Sequence, residues 1–377
     1  MNDLHKSNAR PAASEDNAAA RAELCALSMP SASLGYEGLG VGSLGSAEQQ
    51  EELLKKFAPS SLDPALAERI SSLLKMTPPG RLGNAYSNSI AEGAMLVSAS
   101  GSDLYFTWKA SGTSQVWMQR RGSEPEQLTF GQGAATLEAI SPEGSYLVVS
   151  IDEGGNENPA LYCLDTETKK MVSVLVEEEV QARFGCLSGD GRFVFFSANK
   201  NQPSMYDVYR FDTSKPDVPP ERLNIEPAAW SIHDVRGSEV LLSQAVTGVA
   251  SAFYLHNLDS KQTTPLFGHD GREDRYLAAF DKETSDFIVA TDRFDDFARL
   301  YRFKREDNSW QPLSYGDNRG EIEALEISPE GKRLLVQFNQ QGCSRTVAFS
   351  WPDLKEIALP ARVEGEVHTL LGETSPD

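Results

Sequence analysis

Residues 138–165, EAISPEGSYLVVSIDEGGNENPALYCLD, and residues 186–212, CLSGDGRFVFFSANKNQPSMYDVYRFD, decide the fold. Each opens on a four-residue turn closed by Gly (SPEG at 141–144, SGDG at 188–191) and runs into a strand of apolar residues, YLVVS or FVFFS. A polar loop follows, and then an alternating strand that ends in Asp. Period-two alternation bounded by Gly, Asn and Pro is the signature of hairpins and not of helices.

Working outward, the turn returns as SPEG at 328–331, and the steps of 47 and then 140 residues are one period and close to three. Gly237 and the ETSD turn around Thr284 fill the two intermediate places, followed by VLLSQ and FIVAT, as LLVQF follows the last. A second marker keeps the same step: Tyr162, Tyr209, Tyr254 and Tyr301 are 47, 45 and 47 residues apart, with Trp117 and Ala348 as the outer members. A twisted four-stranded sheet cannot bury both its faces alone, so units of this length stack radially as the blades of a propeller. The pattern therefore predicts an all-β propeller of four-stranded blades at 93–132, 133–178, 179–226, 227–271, 272–318 and 319–361. The stub VEGEVHTLLGETSPD, with Val367, Thr369 and Leu371 on one side, reads as the start of a seventh, incomplete blade.

Before the propeller the texture differs. Residues 1–46 are rich in Ala, Ser, Gly and Asn without period and read as a flexible leader. Residues 47–91 hold two short amphipathic helices, AEQQEELLKKFA and DPALAERISSLLKM, stopped by Pro78-Pro79-Gly80, and the propeller occupies 92–377.

Composition narrows the function. With 35 Lys and Arg against 55 Asp and Glu, the net charge of -20 repels a phosphate backbone, so nucleic acid is not the expected partner. No run has the length of a membrane span or a signal peptide core, and four scattered cysteines form neither a disulfide framework nor a zinc motif, which points to a cytoplasmic chain without cofactor or metal. No serine stands in G-x-S-x-G, since Val116 and Thr346 occupy the closing position after Ser114 and Ser344. His368 leaves too little chain after it for a Ser, Asp, His order, so no catalytic residue is assigned. The nearest thing to an oxygen cage is Asp152–Asn158, whose spacing matches no calcium loop.

Blade geometry puts the connection between strands two and three on the same face as the connection to the next blade. That face gathers Asp152, Glu153 and Glu157 with Glu177, Glu178 and Glu179, and with Asp295 and Asp296, an acidic rim able to attract a free amino terminus or a basic segment. Aligned on the turns, Thr136, Arg183, Ala229, Tyr276 and Glu323 open the innermost strands at the channel mouth, where Arg183 and Glu323 are the candidate substrate-binding charges together with Glu177, Glu178 and Glu179.

The stretches at 126–165 and 187–212, with GEIEALEISPEGKRLLVQFNQQGCSRTVAFSWPDLKEIALP at 320–360, resemble the N-terminal propeller of prolyl oligopeptidase-type serine peptidases. The likeness is strongest to the acylaminoacyl-peptidase and dipeptidyl-peptidase-like branch and covers residues 90 to 371. The resemblance implies a propeller that filters peptide substrates for an α/β-hydrolase domain this chain does not contain. None of that family's catalytic residues, nor its paired amino-terminus-binding glutamates, finds a matching position. The expected role is thus gating and substrate selection without catalysis, the partner being a peptide substrate, a hydrolase domain or another protein. The alternative is a standalone TolB- or WD40-like propeller serving as a protein- or peptide-binding scaffold, and the incomplete blade adds the expectation of self-association.

Overall fold

The computed structural model describes residues 95–97, 103–120, 123–316, 320–340 and 342–358. The chain divides at residue 89/90 into two units, of which the first lies wholly outside the described residues, as do the expected helices of 47–76 and the stub at 365–371.

The described chain is an all-β, six-bladed propeller with no helix among its described residues. Its blades cover 95–127, 134–175, 182–222, 230–265, 276–312 and 321–357, where the repeat places them, and each is a four-stranded antiparallel sheet built from four consecutive strands. The second strands carry the structure. Leu147, Val148 and Val149, Val194 and Phe196, Val240 to Leu242, and Phe287 to Val289 are all inaccessible to solvent, because successive side chains point to opposite faces and a neighbouring blade covers each face. The apolar side chains gather into five clusters, each shared by two consecutive blades from one/two to five/six. Among the described residues no such cluster joins blade six to blade one.

The recurring turn has a defined chemistry. The amides of Ser141, Ser188 and Ser328 donate to the carbonyl five residues on at 2.9 Å. Their hydroxyls accept from the amide of that same residue at 3.1, 2.8 and 3.0 Å. Gly144, Gly191 and Gly331 close the turn at φ +72°, +69° and +73°, a left-handed conformation that needs no Cβ.

In blade five Asp281 replaces the turn serine and becomes an inter-blade clasp. Its carboxylate is fully buried. It accepts Trp351 Nε1 from blade six at 3.0 Å, Thr284 Oγ1 at 2.9 Å and the Glu283 amide at 3.1 Å, with Arg302 Nη2 at 3.2 Å. Its carbonyl accepts Arg236 Nη1 from blade four at 3.0 Å, so one residue ties three blades.

Removing one member of a buried charged network strands the rest and costs about 3–5 kcal/mol. Asp281→Ala is therefore expected to lose that much unfolding free energy in urea titrations with an unchanged slope, and Trp351→Phe, which forfeits a hydrogen bond to a buried carboxylate and the indole under Arg302, about 1.5–3 kcal/mol. A loss below about 1 kcal/mol for Asp281→Ala contradicts the clasp.

Candidate functional site at the channel mouth

The innermost strands line the central channel, and their register with the second strands fixes which side chains are equivalent. Thr136, Arg183, Ser231, Leu277 and Ala324 oppose Ser150, Ser197, Ser243, Ala290 and Gln337. In three blades this differs from the turn-based alignment. Blade four reverses through a two-residue turn, Gly237-Ser238, which moves the position from Ala229 to Ser231. Blade five has no bulge between this position and its turn, so Leu277 and not Tyr276 takes the place. Tyr276 is buried with its hydroxyl 3.1 Å from Asp274.

The bulges are the feature that sequence reading missed. In blades two, three and four an extra residue is inserted at one and the same point of the inner strand: Glu138, Gly185 and His233. In blade six the extra residue is Glu323, two pairings nearer the mouth. A bulge re-aims the inserted side chain. Each polar one is held from the second strand: Ser150 Oγ donates to Glu138 Oε1 at 2.5 Å, and Ser243 Oγ is 2.7 Å from His233 Nε2. Burial raises the Glu138 carboxyl above its usual range. The His233 imidazole stacks on Phe253, with centroids 4.8 Å apart, and is open to channel water on one side yet crowded by blades elsewhere, which pushes its pKa down to about 4. Gly185 is glycine for a different reason. A Cβ there would lie 2.6 Å from Ile232 Cβ, where blade four leans on blade three. The signal available in the sequence was the serine that follows the apolar run in YLVVS, FVFFS and VLLSQ, Ser150, Ser197 and Ser243.

At the mouth Arg183 is exposed but fixed. Its Nε and Nη2 donate to Gln181 Oε1 at 3.1 and 2.8 Å, Nη2 also donates to Tyr206 Oη at 2.9 Å, and the guanidinium carbon lies 3.8 Å from the Tyr206 ring centroid. Tyr206 in turn donates to Gln181, whose side-chain amide is anchored on the Glu157 carbonyl at 3.0 Å. Beside this clamp on blade three a cavity of about 420 Å³ is lined by Asn201, Gln202, Met205, Asp207, Arg222 and Pro227. Burial raises the Asp207 carboxyl, but hydrogen bonds from Arg222 at 2.9 Å and Asn201 at 2.6 Å outweigh it and hold the group ionised below its usual range.

The other candidates separate. Glu323, three blades from Arg183, accepts Asn339 Nδ2 at 2.7 Å. The glutamates of the connection into blade three do not act together: Glu177 is ion-paired with Lys200, while Glu178 and Glu179 are exposed and Glu179 sits at φ +59°. In the loop 152–158 Asn156 Oδ1 caps the Asn158 amide at 2.9 Å, and among the described residues no three His, Cys, Asp or Glu side chains converge to hold a metal ion. No helix of the described residues is long and apolar enough to cross a membrane.

Three solved structures share the architecture. A prolyl endopeptidase, studied for inter-domain dynamics in catalysis and specificity, superposes with a TM-score of 0.56 at 12% identity over 75% of this chain and 46% of its own. An oligogalacturonate lyase in complex with manganese gives 0.53 at 12% identity over 72% and 76%, and the oligogalacturonate lyase of Vibrio parahaemolyticus 0.52 at 12% over 72% and 77%. The chain thus spans about half the length of the endopeptidase, and the likeness is one of fold. No family model and no curated protein matches the sequence.

Because an unfolded histidine takes up its proton near pH 6.5 and folded His233 only near 4, acidification through that window favours the unfolded chain. His233→Gln keeps a partner for Ser243 and cannot protonate. Its melting temperature is expected to fall less than the wild type's between pH 7 and pH 4, and equal falls would show that the ring titrates like a free imidazole.

Proposed function

We propose that this propeller is a substrate-selecting module of the prolyl oligopeptidase type, of the acylaminoacyl- and dipeptidyl-peptidase-like branch, which admits short peptides through its channel and supplies no catalytic group itself. The observation that carries this reading is the Arg183 clamp. A guanidinium already oriented by Gln181 and Tyr206 at the mouth of an acidic protein's channel loses little freedom on meeting a carboxylate, and its Nη1, which takes no part in that clamp, is the donor left for a peptide's terminus. Glu323, on the far side of the ring, supplies the opposite charge for the amino end.

A second reading, a standalone scaffold that binds a protein or peptide, draws on a different fact. In the lyases the matched part makes up about three quarters of the chain, so this fold also serves without a large companion domain.

Calorimetry with trialanine and its C-terminal amide tests the proposal. The acid is expected to bind, with affinity falling about 10- to 100-fold for the amide and for Arg183→Ala, the worth of one charge-assisted pair, and less for Arg183→Lys. Equal affinity of wild type and Arg183→Ala removes Arg183 from the reading. A fluorophosphonate probe is expected to label no serine of the chain, and stoichiometric labelling would replace gating by catalysis.

A further inference from the structure

Of the nine large apolar side chains exposed among the described residues, six lie in connections on the mouth face: Phe130, Val176, Val246, Val249, Phe294 and Phe297. Only Met171 and Val218 lie towards the opposite face. A soluble surface scatters such residues, whereas concentration on one face marks a site of association. The densest part is the sequence FDDF, Phe294 to Phe297, in the loop between strands two and three of blade five, with Val246 and Val249 in the equivalent loop of blade four.

Phe294 is not a floppy residue that happens to be wet. Its ring packs 4.9 Å from Tyr301 and 5.7 Å from Trp310, and Trp310 stands on Phe303 at 4.9 Å and Phe267 at 5.3 Å, which stacks on Phe253 at 5.0 Å. A ladder of rings rising from the core thus ends in a phenylalanine that is 52% exposed, and Phe297 beside it is 47% exposed. An aromatic anchor immobilised in advance is the kind of group that dominates binding surfaces, because it gives up little entropy on contact.

The charges around it select the partner. Arg293 is tied to Asp270 at 2.6 Å and Asp274 at 2.9 Å, and Arg299 to Asp295 at 3.4 Å and to the Gly320 carbonyl. The positive groups are therefore matched within the protein. Asp296, between the two phenylalanines, and Glu273 on the neighbouring connection have no hydrogen bond or ion pair among the described residues. The same two arginines also lie over the rings, Arg293 5.6 Å from the Phe294 centroid and Arg299 5.4 Å from that of Phe297, so what the loop leaves unpaired is negative charge.

We propose that the FDDF loop and the adjoining loop of blade four dock a basic, apolar-bearing polypeptide segment of a partner protein, its lysine or arginine meeting the Asp296 and Glu273 carboxylates, its apolar side chains meeting Phe294, Phe297, Val246 and Val249. An unpaired carboxylate between two anchored rings recognises that chemistry, and an anionic surface is repelled by the same loop. The proposal is independent of Arg183.

The test is fluorescence anisotropy of the full chain with a fluorescein-labelled octapeptide (Lys-Leu)4 and its counterpart (Glu-Leu)4. Wild type is expected to bind the Lys-Leu peptide and not the Glu-Leu peptide. Binding is expected to weaken at least about tenfold in Phe294→Ser/Phe297→Ser, by a smaller factor in Asp296→Asn, and not at all in Val218→Ser on the opposite face or in Arg183→Ala. The single variant Asp296→Arg, on an exposed loop, checks the charge without touching the rings and is expected to abolish binding. Lack of binding by wild type, equal binding by both phenylalanine and aspartate variants, or binding of the Glu-Leu peptide overturns the proposal. So does a wild-type dimer in sedimentation that the phenylalanine variant dissolves, since the occupant is then a second copy.

Discussion

Everything in this molecule depends on one requirement: the second strands of blades two to five are apolar on both faces and stay dry only between two neighbours. Val148 and Val149, consecutive and fully buried, belong to different clusters, one shared with blade three and the other with blade one. Each sheet's ladder closes within its own blade and the backbone crosses between blades only at isolated points, such as Ala135 N–H to the Ser114 carbonyl at 2.8 Å and Ala182 N–H to that of Pro159 at 3.0 Å, so the ring's cohesion rests mainly on the apolar area each junction removes from water. The polar ties are local reinforcements of that packing. Tyr146 Oη donating to the Gly191 carbonyl at 2.5 Å and the Asp281 clasp both join the turns of one face, where a short connection brings neighbouring blades within reach of a single side chain.

That division leaves the two faces with different work. The turn face is stitched: serine and aspartate side chains are spent on capping tight reversals. Between two of those turns a cavity of about 380 Å³ includes Cys163, whose thiol burial pushes up to about 12, so it stays protonated and inert. The mouth face carries the longer connections, the exposed rings and the fixed guanidinium of Arg183. Functional groups on loops held by a rigid scaffold are the common arrangement, and here the scaffold leaves only one face free to adopt it.

The fold was legible because its two markers report geometry and not mere composition. Gly144, Gly191 and Gly331 recur where the backbone turns left-handed, and Tyr162, Tyr209, Tyr254 and Tyr301 recur in the third strands. The site was less legible for a physical reason. A bulge is one residue of slack in a ladder, and counting back from a turn assumes a ladder without slack. Glu138 and His233 were passed over on that account, and counting back from the turn gave Ala229 and Tyr276 where the ladder register aligns Ser231 and Leu277. Arg183 was legible as a charge at the start of an inner strand, but not as a clamp, since Tyr206 reaches it from the third strand of the same blade across a register no single sequence displays. Glu177, Glu178 and Glu179 looked alike in the sequence and differ in space because Lys200 pairs with one of them.

Each blade is made of four strands that follow one another along the chain, none borrowed from elsewhere. Contacts inside a blade therefore close short loops, while contacts between blades join segments about one repeat apart, so the energetics approach those of a linear array with nearest-neighbour coupling. A chain of this kind assembles in order of synthesis. A hairpin pair forms as soon as it is free, remains half-wet until its successor arrives, and is then locked, so that the blade most recently made is always the one exposed to aggregation. Damage to a junction late in the chain, such as the one that Asp281 and Trp351 secure, is expected to leave the earlier blades able to fold while the growing end stays open.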